Sequence, residues 1–319
     1  MLKQVALGLA IVMLLSACAP AAAPSSSKPE DATLRVVTLP NLDLLPLFVA
    51  DKLGYFKEQG ITVTFVPAQS AAERDQLIQA GQADGMNNDM ISTVLYNKDT
   101  VKIKVVRVAI QPAGDWSQYS ILAAKDSGIK SAADLKGVEI GISQATTIEY
   151  VTLRLLTDAG LKPADVKTTN VIKIADRMQL LASGQIKAAT LPEPLATLAE
   201  QQGALRVVPD KTNRKYSNSL ISFTAQVLKD KPNTVRKFLA AYEKAIKDIN
   251  AEPTKWGTVL NDNKILPPAL TTYELPQFPK ASVPSEAQFA DVQKWMKDSK
   301  TISADIPYAN LVDVSFLPK

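Results

Sequence analysis

Residues 34–81 have the sequence LRVVTLPNLDLLPLFVADKLGYFKEQGITVTFVPAQSAAERDQLIQAG, in which β-forming and helix-forming segments alternate. Pro46 suits the first turn of a helix, and Gly60 suits the position after its last turn. Ser70 and Glu73 have capping-box spacing at the start of a second helix. The predicted elements are the strand Leu34–Leu39, the helix Pro46–Gln59, the strand Ile61–Val66 and a helix from Ser70 to about Ala80. This β-α-β-α order predicts an α/β fold with a mostly parallel sheet and helices on its faces.

The same order returns in the middle of the chain. Thr146 and Glu149 repeat the capping-box spacing. Glu73–Leu77 (ERDQL) is similar to Asp176–Leu180 (DRMQL), at an offset of 176 − 73 = 103 residues. The predicted elements here are the strand Val138–Ile142, a helix from Thr146 to Ala159, the strand Val171–Ile174 and a helix from about Asp176 to Ser183. Two lobes of similar α/β design are therefore predicted.

Two apolar segments are predicted to connect these lobes. Tyr119–Ala124 would carry the chain into the second lobe, and Ser219–Gln226 would carry it back. Two such crossings would form a hinge, with a cleft between the lobes. Pro232–Asn250 has apolar residues at helical spacing and is predicted as a long amphipathic helix. The C-terminal helices are expected to pack on the first lobe through three aromatic residues, Trp256, Phe289 and Trp295.

The N-terminus is similar to a bacterial lipoprotein signal. Lys3 supplies a positive start, and Val5–Leu15 is almost entirely apolar but too short for a typical transmembrane helix. Leu15-Ser16-Ala17-Cys18 resembles a lipobox, in which the cysteine is lipidated. Residues 19–32 are rich in Ala, Pro and Ser and are predicted as a flexible tether. We therefore expect an extracytoplasmic protein held at the cell membrane by lipid on Cys18; the alternative is an ordinary signal with an incidental cysteine.

The expected division of the chain follows from these features. It comprises a signal peptide at residues 1–18, a tether at 19–32, the first part of lobe 1 at 33–118, lobe 2 at 119–218, and the second part of lobe 1 with the C-terminal helices at 219–319.

The composition disfavours several classes of protein. The 319 residues include 36 Lys and Arg against 32 Asp and Glu, and these charges are dispersed, so nucleic-acid binding is not suggested. Cys18 is the only cysteine, which excludes an intrachain disulfide and a cysteine metal site. The chain has no histidine, and so lacks the commonest general base and metal ligand. We expect a monomer that binds without catalysis, cofactor or metal.

Four segments resemble motifs of periplasmic solute-binding proteins of the sulfonate, nitrate and thiamine-precursor family. They are Leu53–Ile61 (LGYFKEQGI), Ala80–Gly85 (AGQADG), Lys130–Val138 (KSAADLKGV) and Leu191–Pro194 (LPEP). They occur in the family's order after a lipobox, and the resemblance covers roughly residues 34–250.

The resemblance implies a two-lobe periplasmic-binding-protein fold of type II, whose lobes close on a small molecule. It also implies delivery of that molecule to an ABC permease and its ATPase. Three alternatives stay open: a lipoprotein sensor or co-receptor of similar fold, a transcription-factor effector domain, and an enzyme. The superfamily includes a eukaryotic thiamine-pyrimidine synthase that consumes its own histidine and pyridoxal cofactor. The absence of histidine and the signal-like N-terminus disfavour the enzyme and the transcription factor.

Ligands of open α/β sheets bind beyond the carboxyl ends of the strands, near helix N-termini. This rule selects the loops after the predicted strands and the segment before the first crossing. The candidate ligand-binding residues are Asn41, Asp43, Gln69, Ser70, Asn88, Asp89, Trp116, Tyr119, Ser143, Gln144, Thr146, Thr147 and Glu193. Asp43, Ser70, Asp89 and Thr146 could instead be helix caps, and Trp116 could be a packing residue of the hinge.

The balance of charge in these loops bears on the solute. They contain Asp43, Asp89 and Glu193 but no Lys or Arg. We expect Asp89 and Glu193 to face the cleft from opposite lobes. Carboxylate acceptors and an aromatic platform favour a thiamine-type pyrimidine or another nitrogen heterocycle over a sulfonate, taurine or nitrate. The open alternative is that a distant base such as Arg177 reaches the cleft, since helix N-termini can also hold an anion.

Overall fold

The computed structural model describes residues 29–210, 215–266, 268–270 and 273–318. The predicted signal peptide, Cys18 and most of the predicted tether lie outside the described residues. The described residues form the strands β1 (Thr33–Thr38), β2 (Thr62–Pro67), β3 (Gly85–Asp89), β4 (Ile103–Ile110), β5 (Tyr119–Ala123), β6 (Glu139–Ile142), β7 (Lys167–Asn170), β8 (Ala188–Pro192), β9 (Leu205–Pro209) and β10 (Ser219–Thr224).

The helices complete the two lobes. They are α1 (Leu45–Lys52), α2 (Tyr55–Glu58), α3 (Ala71–Gln79), α4 (Met90–Asn97), α5 (Thr147–Asp158), α6 (Ile174–Ala182), α7 (Leu195–Gln201), α8 (Ala225–Asp230), α9 (Pro232–Ala251), α10 (Gly257–Asp262), α11 (Glu286–Asp298) and α12 (Tyr308–Leu311). Within the described ranges, none of the helices has the length and apolar character needed to cross a bilayer.

Two predicted elements differ from the structure. The predicted helix Pro46–Gln59 is divided into α1 and α2, because Gly54 adopts a φ of 74° that an α-helix does not allow. The predicted strand Val171–Ile174 is wrong, since β7 ends at Asn170 and α6 begins at Ile174. Ile172 is 49% exposed, so this apolar run is not buried in the sheet.

The two sheets have the same arrangement of strands. The first has the order β2-β1-β3-β10-β4, and the second has the order β7-β6-β8-β5-β9. In each sheet four strands share one direction, while β10 or β5 runs antiparallel to both of its neighbours. β5 and β10 follow the two segments by which the chain passes from one sheet to the other. The mostly parallel sheets and the shared design are confirmed, and the chain does cross twice between the sheets. The predicted crossing segments are wrong, because Tyr119–Ala124 and Ser219–Gln226 form β5 and β10 with the start of α8, and the chain crosses just before each of these strands.

The second lobe repeats the first at a constant offset over its central elements. Helix α6 begins 174 − 71 = 103 residues after α3, and strand β8 begins 188 − 85 = 103 residues after β3. Side chains at equivalent positions of α3 and α6 are therefore placed alike in the two lobes.

Asp210 joins the two crossings. It directly follows β9, and its carboxylate accepts hydrogen bonds from the backbone N–H groups of Gln118 (2.8 Å) and Tyr119 (3.0 Å). Asp210 is fully buried, and burial raises its pKa to about 7. The junction between the lobes therefore contains a carboxyl group that titrates near neutral pH.

Helix α11 contacts both lobes. Phe289 packs in the same core as residues of α4 in lobe 1, as expected. Trp295 departs from the expectation, because its ring contacts that of Tyr150 on α5 of lobe 2, with 5.4 Å between centroids. The carboxylate of Asp291 also accepts a hydrogen bond from the Tyr150 hydroxyl (2.5 Å). The C-terminal region thus bridges the lobes instead of packing on the first lobe alone.

Candidate functional site

Four cavities between the lobes share lining residues and so lie next to one another. The central cavity, about 50 Å³, shares Asp89 and Ser143 with an outer cavity of about 210 Å³. It shares Asn41 with an inner cavity of about 10 Å³. The inner cavity in turn shares Trp116 and Glu193 with a side cavity of about 750 Å³. Most of the predicted site residues lie along this series.

Asp89 is both a helix cap and a residue of the central cavity. Its carboxylate accepts hydrogen bonds from a backbone N–H in the first turn of α4 (2.9 Å) and from Nη1 of Arg74 (3.3 Å). Burial raises the pKa of Asp89, although Arg74 opposes the shift. The neighbouring Asn88 side chain donates to Thr93 (3.0 Å) and accepts from Ser222 (2.8 Å). Both predicted residues line the cavity, but their polar atoms already have protein partners.

Arg74 lies on α3 and lines the same cavity. Its guanidinium is almost fully buried; Nε donates to Asp75 (2.8 Å) and Nη1 donates to Asp89 (3.3 Å). Burial would lower the pKa of Arg74, but these two carboxylates hold it above its usual value. Its Nη2 atom is buried and has no hydrogen-bond partner among the described residues. Arg74 is therefore charged, lines the cavity, and keeps one donor group without a partner among the described residues.

Arg177 occupies the equivalent position of lobe 2, since 177 − 74 = 103. Its Nε donates to the carbonyl of Thr190 (2.8 Å), and its Nη1 donates to the carbonyl of Val171 (2.7 Å). Nη2 is again buried without a partner among the described residues. Burial lowers the pKa of Arg177 to about 10, so the group stays charged at neutral pH. A buried cation held only by carbonyls favours an incoming anion.

The N-terminus of α5 adds positive potential to the central cavity. Thr146 caps this helix; its Oγ1 accepts from the N–H of Ile148 (3.2 Å) and donates to the carbonyl of Ser143 (2.7 Å). Thr147 is the first residue of the helix and also lines the cavity, as does Ser143. Because the helix macrodipole is positive at this end, the predicted residues of lobe 2 form a suitable surface for an anion.

The open alternative, in which a distant base such as Arg177 reaches the cleft, agrees with the structure. The loops indeed contain no Lys or Arg, but α3 and α6 supply Arg74 and Arg177 to the cavity. A signal for both residues was present in the sequence, because ERDQL and DRMQL place an arginine at the same position of each repeat. These two equivalent side chains line the same cavity from opposite lobes.

Asp43 lies deeper, at the inner cavity, and caps no helix by a side-chain bond. One carboxylate oxygen, Oδ2, accepts hydrogen bonds from Nδ2 of Asn87 (3.0 Å) and from the hydroxyl of Ser219. The other oxygen, Oδ1, is buried and has no partner in the described part of the chain. Burial raises the pKa of Asp43, although the bonds from Ser219 and Asn87 oppose the shift.

Glu193 and Trp116 line the inner and side cavities. Glu193 accepts hydrogen bonds from Arg206 (2.8 Å) and Thr197 (2.7 Å). The Trp116 indole donates to the Tyr273 hydroxyl (3.0 Å), which itself donates to Glu193 (3.2 Å). Asp89 lines the central and outer cavities and Glu193 lines the inner and side cavities, so both face the region between the lobes but line different cavities. The packing alternative for Trp116 agrees with its bond to Tyr273.

The remaining predicted residues differ in their placement. Tyr119 lines both the central and the inner cavity, and Gln144 lines the outer cavity. Gln69 is exposed and Ser70 caps α3, accepting from the N–H of Glu73 (3.1 Å). Neither Gln69 nor Ser70 lines any of the four cavities, and the cap alternative for Ser70 agrees with the structure.

Comparison with known proteins places these features in context. A family model described as NMT1/THI5 like matches residues 41–256, more than half of the chain. A putative aliphatic sulfonates-binding protein of Escherichia coli is 26% identical over 195 residues, covering 61% of this chain and 60% of that protein. A 4-amino-5-hydroxymethyl-2-methylpyrimidine phosphate synthase of Saccharomyces cerevisiae is 28% identical over 225 residues, covering 66% of this chain and 64% of that protein. The chain thus spans less than two thirds of the length of either relative.

Solved structures share the fold. The periplasmic aliphatic sulphonate binding protein SsuA from Escherichia coli superposes with a TM-score of 0.73 at 19% identity, covering 88% of this chain and 97% of that chain. At this identity the likeness establishes the two-lobe periplasmic-binding-protein fold and not the ligand.

Proposed function

Because the chain belongs to the NMT1/THI5-like family, we propose that it is the solute-binding receptor of an ABC importer. It captures a small molecule between its lobes and delivers it to a membrane permease and its ATPase. The fold shared with a periplasmic binding protein supports this function. The cavities between two lobes that are joined by two crossings also support it. Closure is then a population shift, driven by the contacts that the solute makes with both lobes at once.

The solute carries an anionic group that binds between Arg74 and Arg177. The observation behind this proposal is that both guanidinium groups are buried, line one cavity from opposite lobes, and each retain a free Nη2. A sulfonate or carboxylate supplies the oxygen acceptors that these donors lack. Since the anion would touch both lobes, its binding would favour the closed state.

A thiamine-type pyrimidine is the second candidate. One relative is named as a synthase of such a compound, and Asp43 offers a free acceptor oxygen to a ring amine. We favour the anionic solute over the pyrimidine, because a bound pyrimidine would leave the charge of Arg177 without a counter-charge.

Calorimetric titration tests this choice. The panel contains straight-chain alkane sulfonates, taurine, nitrate and 4-amino-5-hydroxymethyl-2-methylpyrimidine. We expect a sulfonate to bind, and Arg177→Gln to weaken it about tenfold to hundredfold, the effect of losing a charged hydrogen bond. Arg236→Gln is the matched control, because Arg236 is exposed on α9. Tight binding of the pyrimidine with no binding of any anion would overturn the anionic assignment.

We propose that binding occurs without catalysis. The chain has no histidine, the commonest general acid–base residue. The yeast relative is named as an enzyme, so the point requires a test. The bound solute should be recovered chemically unchanged after prolonged incubation, as measured by mass spectrometry. A sensor that acts on a membrane kinase is separated from a transport receptor by whether deleting this protein abolishes uptake of the solute while the permease and its ATPase remain intact.

The proposed location is outside the cytoplasm. The signal-like N-terminus and the lipobox-like Leu15–Cys18 support anchoring by lipid on Cys18. A tether of the predicted kind would let the receptor reach its permease while attached to the membrane.

A further inference from the structure

The inner cavity is a polar pocket at the end of the central cavity. Its volume of about 10 Å³ is about that of a single water-sized sphere. Three of its lining residues, Asn41, Asp43 and Gln118, each have a buried side-chain oxygen without a hydrogen-bond partner in the described structure. These atoms are Asn41 Oδ1, Asp43 Oδ1 and Gln118 Oε1. Buried acceptors of this kind are costly unless a donor reaches them.

A group with three donor hydrogens could satisfy all three of these oxygen acceptors. A water molecule has two donor hydrogens and would leave one of the three acceptors unsatisfied. A primary ammonium group has three donors and no acceptor, which matches the set. It would also place a positive charge beside the carboxylate of Asp43, whose Oδ2 already holds Asn87 and whose Oδ1 is free.

The walls of the pocket suit the same group. Trp116 and Tyr119 both line it, and aromatic rings near a cation contribute a further attraction. The central and inner cavities share Asn41 and Tyr119 and so lie side by side, which suits two ends of one solute. No lysine or arginine lines the inner cavity, and so no basic side chain of the described residues competes for Asp43 there.

We infer that the solute is zwitterionic, with a primary ammonium group held by Asn41, Asp43 and Gln118 and an anionic group held by Arg74 and Arg177. This inference rests on the proposed function, because it assigns the opposite end of the same solute. The small volumes of the two cavities favour a short chain between the charged groups.

Matched pairs of probes test the inference by calorimetry. Each pair contains an ω-amino alkane sulfonate and the alkane sulfonate in which a methyl group replaces the ammonium group. Across the pairs, the amino member has about two to five carbons between its ammonium and its sulfonate. We expect the amino member of at least one pair to bind at least about tenfold more tightly, the lower range for a charged hydrogen bond. The ratio of the affinity for the amino member to that for the methyl member should fall to about one in Asp43→Asn and should be unchanged in Arg236→Gln.

A second variant covers the case in which Asp43→Asn does not fold. Gln118→Leu removes one acceptor, keeps the backbone N–H that donates to Asp210, and should also reduce the preference for the amino member. Circular dichroism and the melting temperature establish that each variant is folded. The inference is overturned if the methyl member binds at least as tightly in every pair, or if the preference survives in both variants.

The outcomes separate this inference from the proposed function. Tight binding of alkane sulfonates without preference for the amino members refutes the ammonium pocket and leaves the anion receptor standing. Failure of every sulfonate, amino or alkyl, refutes the anionic assignment and the zwitterion together.

Discussion

Arg177 in α6 and Arg74 in α3 stand at the same position of their repeats, yet carboxylates pair only with Arg74 in the described structure. Asp75 and Asp89 flank Arg74, whereas the carbonyls of Thr190 and Val171 hold Arg177. The wall of lobe 1 is therefore balanced in charge or acidic, and the wall of lobe 2 is positive. A solute with one negative and one positive group matches this polarity.

The asymmetry predicts unequal effects on stability. Arg74→Met leaves the buried carboxylates without a cation and should lower the free energy of unfolding by about 3–5 kcal/mol. Arg177→Met removes a buried charge that no carboxylate compensates, but it also removes two hydrogen bonds to carbonyls. It should therefore lower the free energy of unfolding by less than about 2 kcal/mol. Urea unfolding without solute measures both values, with Arg236→Met as the control. Equal losses for the two variants would contradict the charge assignment.

Asp210 predicts a pH dependence of stability. An unfolded aspartate titrates near 3.8, whereas Asp210 in the fold titrates at about 7, so the folded state binds more protons between these values. Its contribution to the free energy of unfolding is therefore full below about pH 4, falls as the pH rises, and is lost above about pH 7. Asp210→Asn should remove this slope. Identical slopes in urea unfolding of the variant and the parent would show that Asp210 is ionised throughout.

Gly85 should not tolerate a side chain. A Cβ atom added there would lie 2.5 Å from a ring carbon of the buried Phe223 on β10. Gly85→Ala should lower the free energy of unfolding by about 1–3 kcal/mol, because the core must shift to accept it. Gly257→Ala is the control, since a Cβ atom added to Gly257 would meet nothing within 4 Å beyond its own helix and chain neighbours. A melting temperature of Gly85→Ala equal to that of the control would mean that Phe223 moves freely.

Cys18 is predicted to anchor the protein. Cys18→Ala should abolish incorporation of labelled palmitate and shift the protein from the membrane fraction to the soluble fraction. Ser26→Ala, in the predicted tether, serves as the control and should leave both unchanged. Palmitate incorporation that persists in Cys18→Ala would place the lipid elsewhere.

Much of the fold could be predicted because its signals are local. Capping residues such as Ser70 and Thr146 mark helix starts, and their side chains cap those helices in the structure. The apolar run Val171–Ile174 was wrongly predicted as a strand. Ile172 and Ile174 line the central cavity, and an apolar cavity wall has the same composition as a buried strand.

The site was harder to predict because it depends on how the lobes meet. The rule that ligands bind at strand ends identified Asn41, Asp89 and Thr146, since it follows from sheet topology. It did not select Arg74 or Arg177, whose long side chains reach the cavity from the fourth residue of a helix; Arg177 entered only as the alternative of a distant base. Whether two such side chains line one cavity depends on how the lobes are placed, which the sequence pattern does not show.

The position of α11 has a mechanical consequence. Asp291 binds both Tyr150 (2.5 Å) and Arg154 (2.9 Å) of α5, while the same helix packs on α4. To separate the lobes, the protein must exchange these bonds for water and slide α11 off one of its two neighbours. Because Asp291, Tyr150 and Arg154 line none of the four cavities between the lobes, these contacts would restrain the angle between the lobes from outside the cleft. Substitutions at Asp291 would therefore alter the affinity of the proposed receptor by changing how readily its empty form opens.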